Sequence, residues 1–294
     1  MTAMKANAGD RAAGMIHNPV EKNVWHTLRN IILLIGLALI LFPMYLVVIN
    51  SFKTLEEAGK NFFALPKVLS FDNVSALLKS QNYFRYVGNS VLVSVLSMSV
   101  VAVFVPLVSY AIARNLKKRY YKFLYLYMLL GLFIPSQVIL LPIVKQMAAL
   151  RLMNQWGLIL LYITFSLTRG AFLFVNYIRA LPIEIEEAAQ IDGCNVLMTY
   201  FRIVVHLIKP MISTLVIMDI LWYWNDFMLP LFLLNKSRDM WTLPLFQYNF
   251  KTEYSFDYPM AFTAYLLALL PVLAVYCLCQ KHIINGLTAG AVKS

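Results

Sequence analysis

The residues able to do chemistry are few, and the densest group is one acidic run. Leu181-Pro182-Ile183-Glu184-Ile185-Glu186-Glu187-Ala188-Ala189-Gln190-Ile191-Asp192-Gly193 reads as a short helix with both ends marked. Pro182 suits the first helical position. Glu184, Glu186 and Glu187 favour the positive end of the helix that follows. Gly193 is a stop signal. Residues 195–204 can form a second short helix that ends before Pro210 opens a long apolar stretch. Such a helix-turn-helix is suited to docking rather than catalysis. Ala188 and Ala189 leave a smooth patch that a partner's surface can approach closely, and Glu187 beside them supplies a charge for register. The plain alternative is an ordinary amphipathic loop helix.

Catalytic and cofactor signatures are missing from the sequence. It holds no G-x-x-x-x-G-K-[ST] loop, no G-x-G-x-x-G and no H-E-x-x-H. The four histidines are scattered, and Cys277-Leu278-Cys279 lacks the usual spacing of a zinc or redox site. The chain is therefore expected to be no enzyme and to bind no cofactor or metal of its own. Three ionisable residues stand out because they fall inside apolar stretches: Arg169, Asp219 and Asp226.

The elements that position these residues are set by composition. Hydrophobic residues make up 61% of the 294, and charged residues 13%, where soluble domains carry about 25%. So few charges cannot cover a water-soluble fold. A helix needs about 20 apolar residues to cross a bilayer. Six stretches qualify: 27–49, 89–113, 123–144, 156–178, 209–232 and 259–280. An all-α integral membrane protein follows, with a cytoplasmic N-terminal segment 1–26, a transmembrane domain 27–280 carrying the loop 181–205, and a cytoplasmic tail 281–294. The net charge of +11 points to the bilayer rather than to nucleic acid, because the basic residues flank the apolar stretches. With both termini inside, 14 of the 25 Lys and Arg fall on inner segments. The short loop Arg114-Asn115-Leu116-Lys117-Lys118-Arg119 carries the clearest positive-inside signal.

The run Glu187-Ala188-Ala189, three residues, then Gly193 resembles the EAA loop of permease subunits of binding-protein-dependent ABC importers. Ile203 fits the continuation of that pattern, while Val205 and His206 stand where Leu and Pro are usual. Trp224-Asn225-Asp226-Phe227-Met228-Leu229-Pro230 and Thr242-Leu243-Pro244-Leu245 resemble the carbohydrate-uptake branch. The ending Ile283-Ile284-Asn285-Gly286-Leu287-Thr288-Ala289-Gly290-Ala291-Val292-Lys293 is similar to that of the smaller membrane subunit of maltose-type transporters. The resemblance implies a type I importer permease in a bacterial cytoplasmic membrane, serving a di- or oligosaccharide by alternating access. It implies a second, homologous permease as heterodimer partner, two ATPase subunits or domains that carry ATP and Mg, and an extracytoplasmic sugar-binding protein. It assigns ATPase coupling to Glu187, Ala188, Ala189, Asp192 and Gly193. It places Trp241, Phe246 and Tyr248 against the binding protein, and it runs Gly286–Ser294 as an extended tail between the ATPases.

Two rival classes stay open on the sequence. An ion-coupled secondary transporter fits the intramembrane ionisable residues but would show internal repeats, and none is visible. A membrane-embedded enzyme would need a nucleophile–base set, and none stands out. The translocation pathway is expected near Arg169, Asp219, Trp224, Asn225 and Asp226. The aromatic pair Trp222 and Tyr223 beside them could face a sugar, pack between helices or form an interface belt. Arg169 lies nine residues from the inner end of its stretch at Ile178, and Asp219 ten from Lys209. At about 1.5 Å per residue the two sit at similar depth. A mutual ion pair is one expectation; a sugar contact or solvation in a cavity are the others.

Overall fold

The computed structural model describes the backbone of residues 19–80, 82–250 and 257–291, and side chains across 25–277 apart from 81, 249, 251–256 and 275. The N-terminal expectation for residues 1–18 and the end of the tail at 292–294 lie outside the described residues. Every regular element described is helical. In chain order these are α1 (Pro19–Ser51), α2 (Leu55–Lys60), α3 (Asp72–Lys79), α4 (Tyr83–Asn115), α5 (Arg119–Phe133), α6 (Ser136–Ala149) and α7 (Gln155–Arg179). Then follow α8 (Glu184–Ile191), α9 (Val196–Thr199), α10 (Val205–Asn225), α11 (Met228–Leu234), α12 (Leu243–Gln247) and α13 (Tyr258–Ala291).

Four helical stretches among the described residues are long and apolar enough to cross a bilayer: Trp25–Ser51, Tyr83–Asn115, Gln155–Arg179 and Val196–Asn225. The stretch 123–144 is not one straight helix. It is split into α5 and α6, bent by 108°. Pro135 is the cause: the residue before a proline is driven out of the helical region, and Ile134 sits at φ −92, ψ 115. If that pair is one crossing, the count is five, and Tyr258–Ala274 is a shorter apolar stretch of α13.

Two boundaries also differ from expectation. The stretch 209–232 breaks at Asp226, whose extended ψ of 127 ends α10. At its other end α10 does not begin near Pro210. A π-helical turn at Tyr200–Val204 joins α9 to α10, so the helix runs unbroken from Val196 to Asn225. His206 is compatible with this, since a proline there would have removed a backbone donor. At the chain's end, α13 continues as helix through Ala291. The expected extended path from Gly286 is thus helical that far, Leu287 and Ala289 being good helix formers.

The core is organised around α4 and α7, with α10 against both. Val101, Val105, Phe174, Val175, Ile178, Val204 and Ile208 are wholly enclosed there. Small residues let helices approach in a membrane, where lipid is as apolar as the core. Gly170 is the point of closest approach: a Cβ on it would lie 2.3 Å from Val105 Cγ1. Apart from that core, α1 packs along α13 and leaves most of its apolar surface exposed.

Beyond α1 a polar clamp holds the loop. The Lys53 ammonium, fully buried, donates to Asn61 O at 2.9 Å and Phe62 O at 3.2 Å. Burial pushes its pKa below the ordinary lysine value, with the Glu57 carboxylate opposing. Asn73 Nδ2 donates to Ser51 O and Lys53 O, and Thr263 Oγ1 of α13 donates to Ser51 O.

Gly170→Ala is expected to lower the thermal midpoint of the purified protein in detergent, since overpacking a tight contact costs about 1–3 kcal/mol. Gly88→Ala is the control, because a Cβ there meets open space. Equal midpoints for the two variants would contradict this account of the α4–α7 crossing.

Candidate functional site

The turn is built as its glycine requires, but α8 begins at Glu184 with Ile183 as its N-cap, two residues after Pro182, and the second helix runs on from Val196 into α10 instead of ending before Pro210. Gly193 takes φ +85, a conformation open to glycine without strain. Cys194 N then donates to Ala189 O at 2.9 Å and closes the turn. Asn195 caps α9, its Oδ1 accepting from Met198 N at 2.8 Å.

The helix α8 presents two faces. Glu186 and Ala189, three residues apart, turn inward and are buried. Glu184, Glu187, Ala188 and Ile191 face outward, and Ile191 is 87% exposed. Asp192 and Gly193 are exposed as well. The expectation that Ala188 and Ala189 form one smooth outer patch is therefore corrected. Ala188 is open, but Ala189 packs within the chain.

What fixes α8 in this orientation is Glu186, whose role the acidic run did not disclose. Its Oε2 accepts from Tyr110 Oη at 2.8 Å, and its Oε1 accepts from Arg114 Nε at 2.8 Å and Nη2 at 2.5 Å. Both donors lie near the end of α4. The Tyr110 ring packs on Tyr200 in the π turn, with centroids 5.1 Å apart. One carboxylate thus ties α8 to α4, and through Tyr110 to the start of α10. A signal was present in the sequence: of the three glutamates, only Glu186 shares the helical face of Ala189.

The second group lies in the apolar layer between α7 and α10. Arg169 Nη2 donates to Asp219 Oδ1 at 2.9 Å and to Ser166 Oγ at 3.3 Å. The pairing expected from equal depth is present. The Asp219 side chain is 2% exposed and that of Arg169 39%. The guanidinium lies 4.5 Å from the centre of the Trp222 ring, a favourable cation–π distance. The Tyr223 hydroxyl lies 2.6 Å from Ser166 Oγ and 3.4 Å from Asp219 Oδ2. Tyr162 stacks on Tyr223 at 4.6 Å and donates its hydroxyl proton to Asp226 Oδ2 at 2.9 Å. Asp226 Oδ1 accepts from Met228 N at 3.1 Å, which starts α11.

Arg169, Asp219 and Asp226 therefore stand on one polar ledge. The other two pathway candidates do not join it. Trp224 is buried on another side of α10 and donates Nε1 to Ala268 O of α13 at 3.3 Å. Asn225 is exposed and donates back to Leu221 O. Sequence reasoning missed Ser166 and Tyr162; their spacing from Arg169, three and seven residues along one helix face, was the available signal.

The aromatic contact surface expected in the outer loop is corrected at one of its three residues. Trp241 is buried, its ring beside Tyr86 on α4. Phe246 stacks on the same Tyr86 at 4.6 Å. Trp241 is thus closed to another protein, while Phe246 keeps part of its surface exposed. Tyr248 is 55% exposed. The loop is held by Asn89 Nδ2, which donates to Asp239 O and Trp241 O, and by an ion pair between Arg85 and Asp239.

Residues 105–288 match the family described as binding-protein-dependent transport system inner membrane component. The chain is 42% identical to the multiple sugar-binding transport system permease protein MsmG of Streptococcus mutans, over 93% of this chain and 99% of that protein. It is 30% identical to the arabinooligosaccharides transport system permease protein AraQ of Bacillus subtilis, over 95% of this chain and 100% of that protein. Its fold is similar to a chain of a bacterial ABC transporter involved in the import of the acidic polysaccharide alginate. That match has a TM-score of 0.77 and 19% identity, and covers 88% of this chain and 96% of the other. A second structure of an alginate ABC transporter, in complex with an alginate pentasaccharide-bound periplasmic protein, matches with a TM-score of 0.65 and 18% identity.

Removing one member of a buried pair leaves the other charge uncompensated, at about 3–5 kcal/mol for fully buried pairs. Arg169 keeps partial exposure, so the cost here is expected to be smaller. Arg169→Leu and Asp219→Leu should each lower the thermal midpoint of the purified protein, and the double variant should recover most of the loss. Additive losses in the double variant would show that the pair is not coupled.

Proposed function

The chain belongs to the family of binding-protein-dependent transport system inner membrane components, and we propose that it forms one membrane half of an ATP-driven importer for a di- or oligosaccharide. The observation that carries this reading is the likeness over nearly the whole chain to permeases named for sugar and oligosaccharide transport. In this reading a second, homologous permease supplies the other half of the pathway. Two ATPase subunits hold Mg and ATP, and an extracytoplasmic binding protein delivers the sugar. Both termini and the helix-turn-helix face the cytoplasm of a bacterial cell.

The exposed face of α8 is the proposed docking surface. Glu187, Ala188, Asp192 and Gly193 are open on it, with the bare apolar side chain of Ile191 among them. Exposed apolar side chains on a polar loop favour a protein partner. Glu186, locked to α4, would pass the partner's motion to the membrane helices. Alternating access then follows as ATP-driven closure draws the two coupling helices together. Within the pathway, the Arg169 side keeps its exposed edge and the adjoining Trp222 ring, chemistry that suits sugar hydroxyls and pyranose faces. Tyr248 remains the candidate contact for the binding protein. Ion-coupled secondary transport is the weaker reading, because Arg169 and Asp219 satisfy each other instead of waiting for an ion.

The test uses the complete complex in proteoliposomes, loaded with ATP. Sugar uptake should stop with vanadate and persist with a proton uncoupler. Ala188→Arg, which places a bulky charge on the exposed face of α8, should abolish uptake or release the ATPase while membrane insertion is unchanged. Normal uptake by an Ala188→Arg complex that keeps its ATPase would overturn the docking assignment. Uptake abolished by the uncoupler alone would overturn ATP-driven import.

A further inference from the structure

The inner loop between α4 and α5 concentrates positive charge. Arg114, Lys117, Lys118, Arg119 and Lys122 fall within nine residues. Arg114 is spent on Glu186. The other four are exposed and, among the described residues, form no ion pair with a carboxylate. Four unpaired cations on a short segment repel one another, and an anion that bridges them relieves that repulsion.

A cavity of about 590 Å³ opens beside this loop, between α4, α5 and the helix-turn-helix. Its walls are largely apolar, with Leu107, Val108, Ala111 and Leu197 among them. Asn115 and Tyr121, which lie within the basic run, stand in its lining, and Lys118 Nζ lies 6.0 Å from the centre of the Tyr121 ring. The basic loop thus adjoins the apolar hollow, with Arg114 the one basic residue in the lining itself. Along α5 the exposed face continues with Tyr120, Phe123 and Tyr127, each about two-thirds exposed or more, and then Leu130 and Phe133. Tyrosines among these residues mark headgroup level, where their amphipathic rings sit, and the wholly apolar Leu130 and Phe133 beyond them suit the acyl layer.

We infer that this cavity is a binding site for an anionic phospholipid of the inner leaflet. Lys117, Lys118, Arg119 and Lys122 take the phosphate, and the apolar wall takes the upper part of an acyl chain. The acidic surface of a protein partner would satisfy the charges but leave the apolar hollow and the exposed rings of α5 unexplained. A free phosphate would likewise leave the hollow empty. Each basic residue near a membrane surface contributes about 1 kcal/mol toward anionic lipid. Because Arg114, Glu186 and Leu197 also line the hollow, the lipid would rest against the tether that holds α8. Its presence would therefore favour the coupled position of that helix. The inference rests on the cytoplasmic placement proposed above, but lipid binding is read without any cargo, so its failure leaves the transport reading intact.

The complex of the full chain with its partner subunits would be purified from nanodiscs of phosphatidylcholine and phosphatidylglycerol, and its retained lipid measured by native mass spectrometry. The ratio of retained phosphatidylglycerol to phosphatidylcholine should exceed the ratio in the disc by roughly fivefold or more, as even one effective basic contact requires. Changing Lys117, Lys118, Arg119 and Lys122 together to glutamine should abolish the enrichment, and changing the three lysines to arginine should preserve it. Should the glutamine variant fail to assemble, Ala111→Phe decides the matter: it fills the hollow, leaves every charge in place and should also lose the lipid. Excess inorganic phosphate should not displace the lipid. Equal retention of both lipids by the unmodified complex would overturn the site. So would full retention by Ala111→Phe, which would leave only loop electrostatics, or displacement by phosphate, which would point to a soluble anion.

Discussion

The carboxylate of Glu186 carries three hydrogen bonds from one neighbouring helix, and the position of the helix-turn-helix depends on them. A buried ion pair gives little net stability, because desolvation offsets attraction. Its value lies in fixing geometry, since a carboxylate torn from its donors would be left uncompensated. The α8 helix has only eight residues, too few to hold a shape in water unaided. Anchored at Glu186 and sealed at Gly193, it presents Glu187, Ala188 and Ile191 outward as a fixed surface. From Tyr110 and Arg114 the connection runs along α4 to the close crossing with α7 at Gly170, and so to the polar ledge in the membrane layer.

That ledge answers a different constraint. Inside a bilayer each polar group must find its partner within the protein. Arg169 and Asp219 pair, Ser166 and Tyr223 add a hydrogen bond to each, and Asp226 takes Tyr162 and the first backbone N–H of α11. The break at Asp226 is thereby stabilised by side chains on the facing helix rather than left open. A rigid α7–α10 unit results, and a rigid unit can transmit displacement from α8 where a loose one would absorb it.

The fold class was legible in the sequence because apolar run length is a strong, local signal. Breaks within runs were less legible. Pro135 was visible, but prolines are tolerated in many membrane helices, and only the surrounding packing decides whether one bends the chain by 108°. The missing proline at His206 was visible too, but the π turn at Tyr200–Val204 had no marker in the sequence. Depth arithmetic found the Arg169–Asp219 pair because helical rise is nearly constant. It could not find that Trp224 turns toward α13 or that Trp241 and Phe246 pack on Tyr86, since those contacts join segments far apart in the chain. Composition marks aromatics as interface-prone without saying whose interface.

The central claim is that α8 moves as one body with α4. Spin labels at Ala188 and Asn115, both outside the buried tether, allow the distance between them to be measured by pulsed electron paramagnetic resonance. Measurements would be made on the complex without nucleotide and on the complex trapped with ATP and vanadate. The account predicts a single, unchanged intrachain distance in both states, while the distance from Ala188 to the matching helix of the proposed partner permease shortens on trapping. An intrachain distance that shifts or broadens as the partner distance shortens would contradict it, because α8 would then move without carrying the membrane helices along.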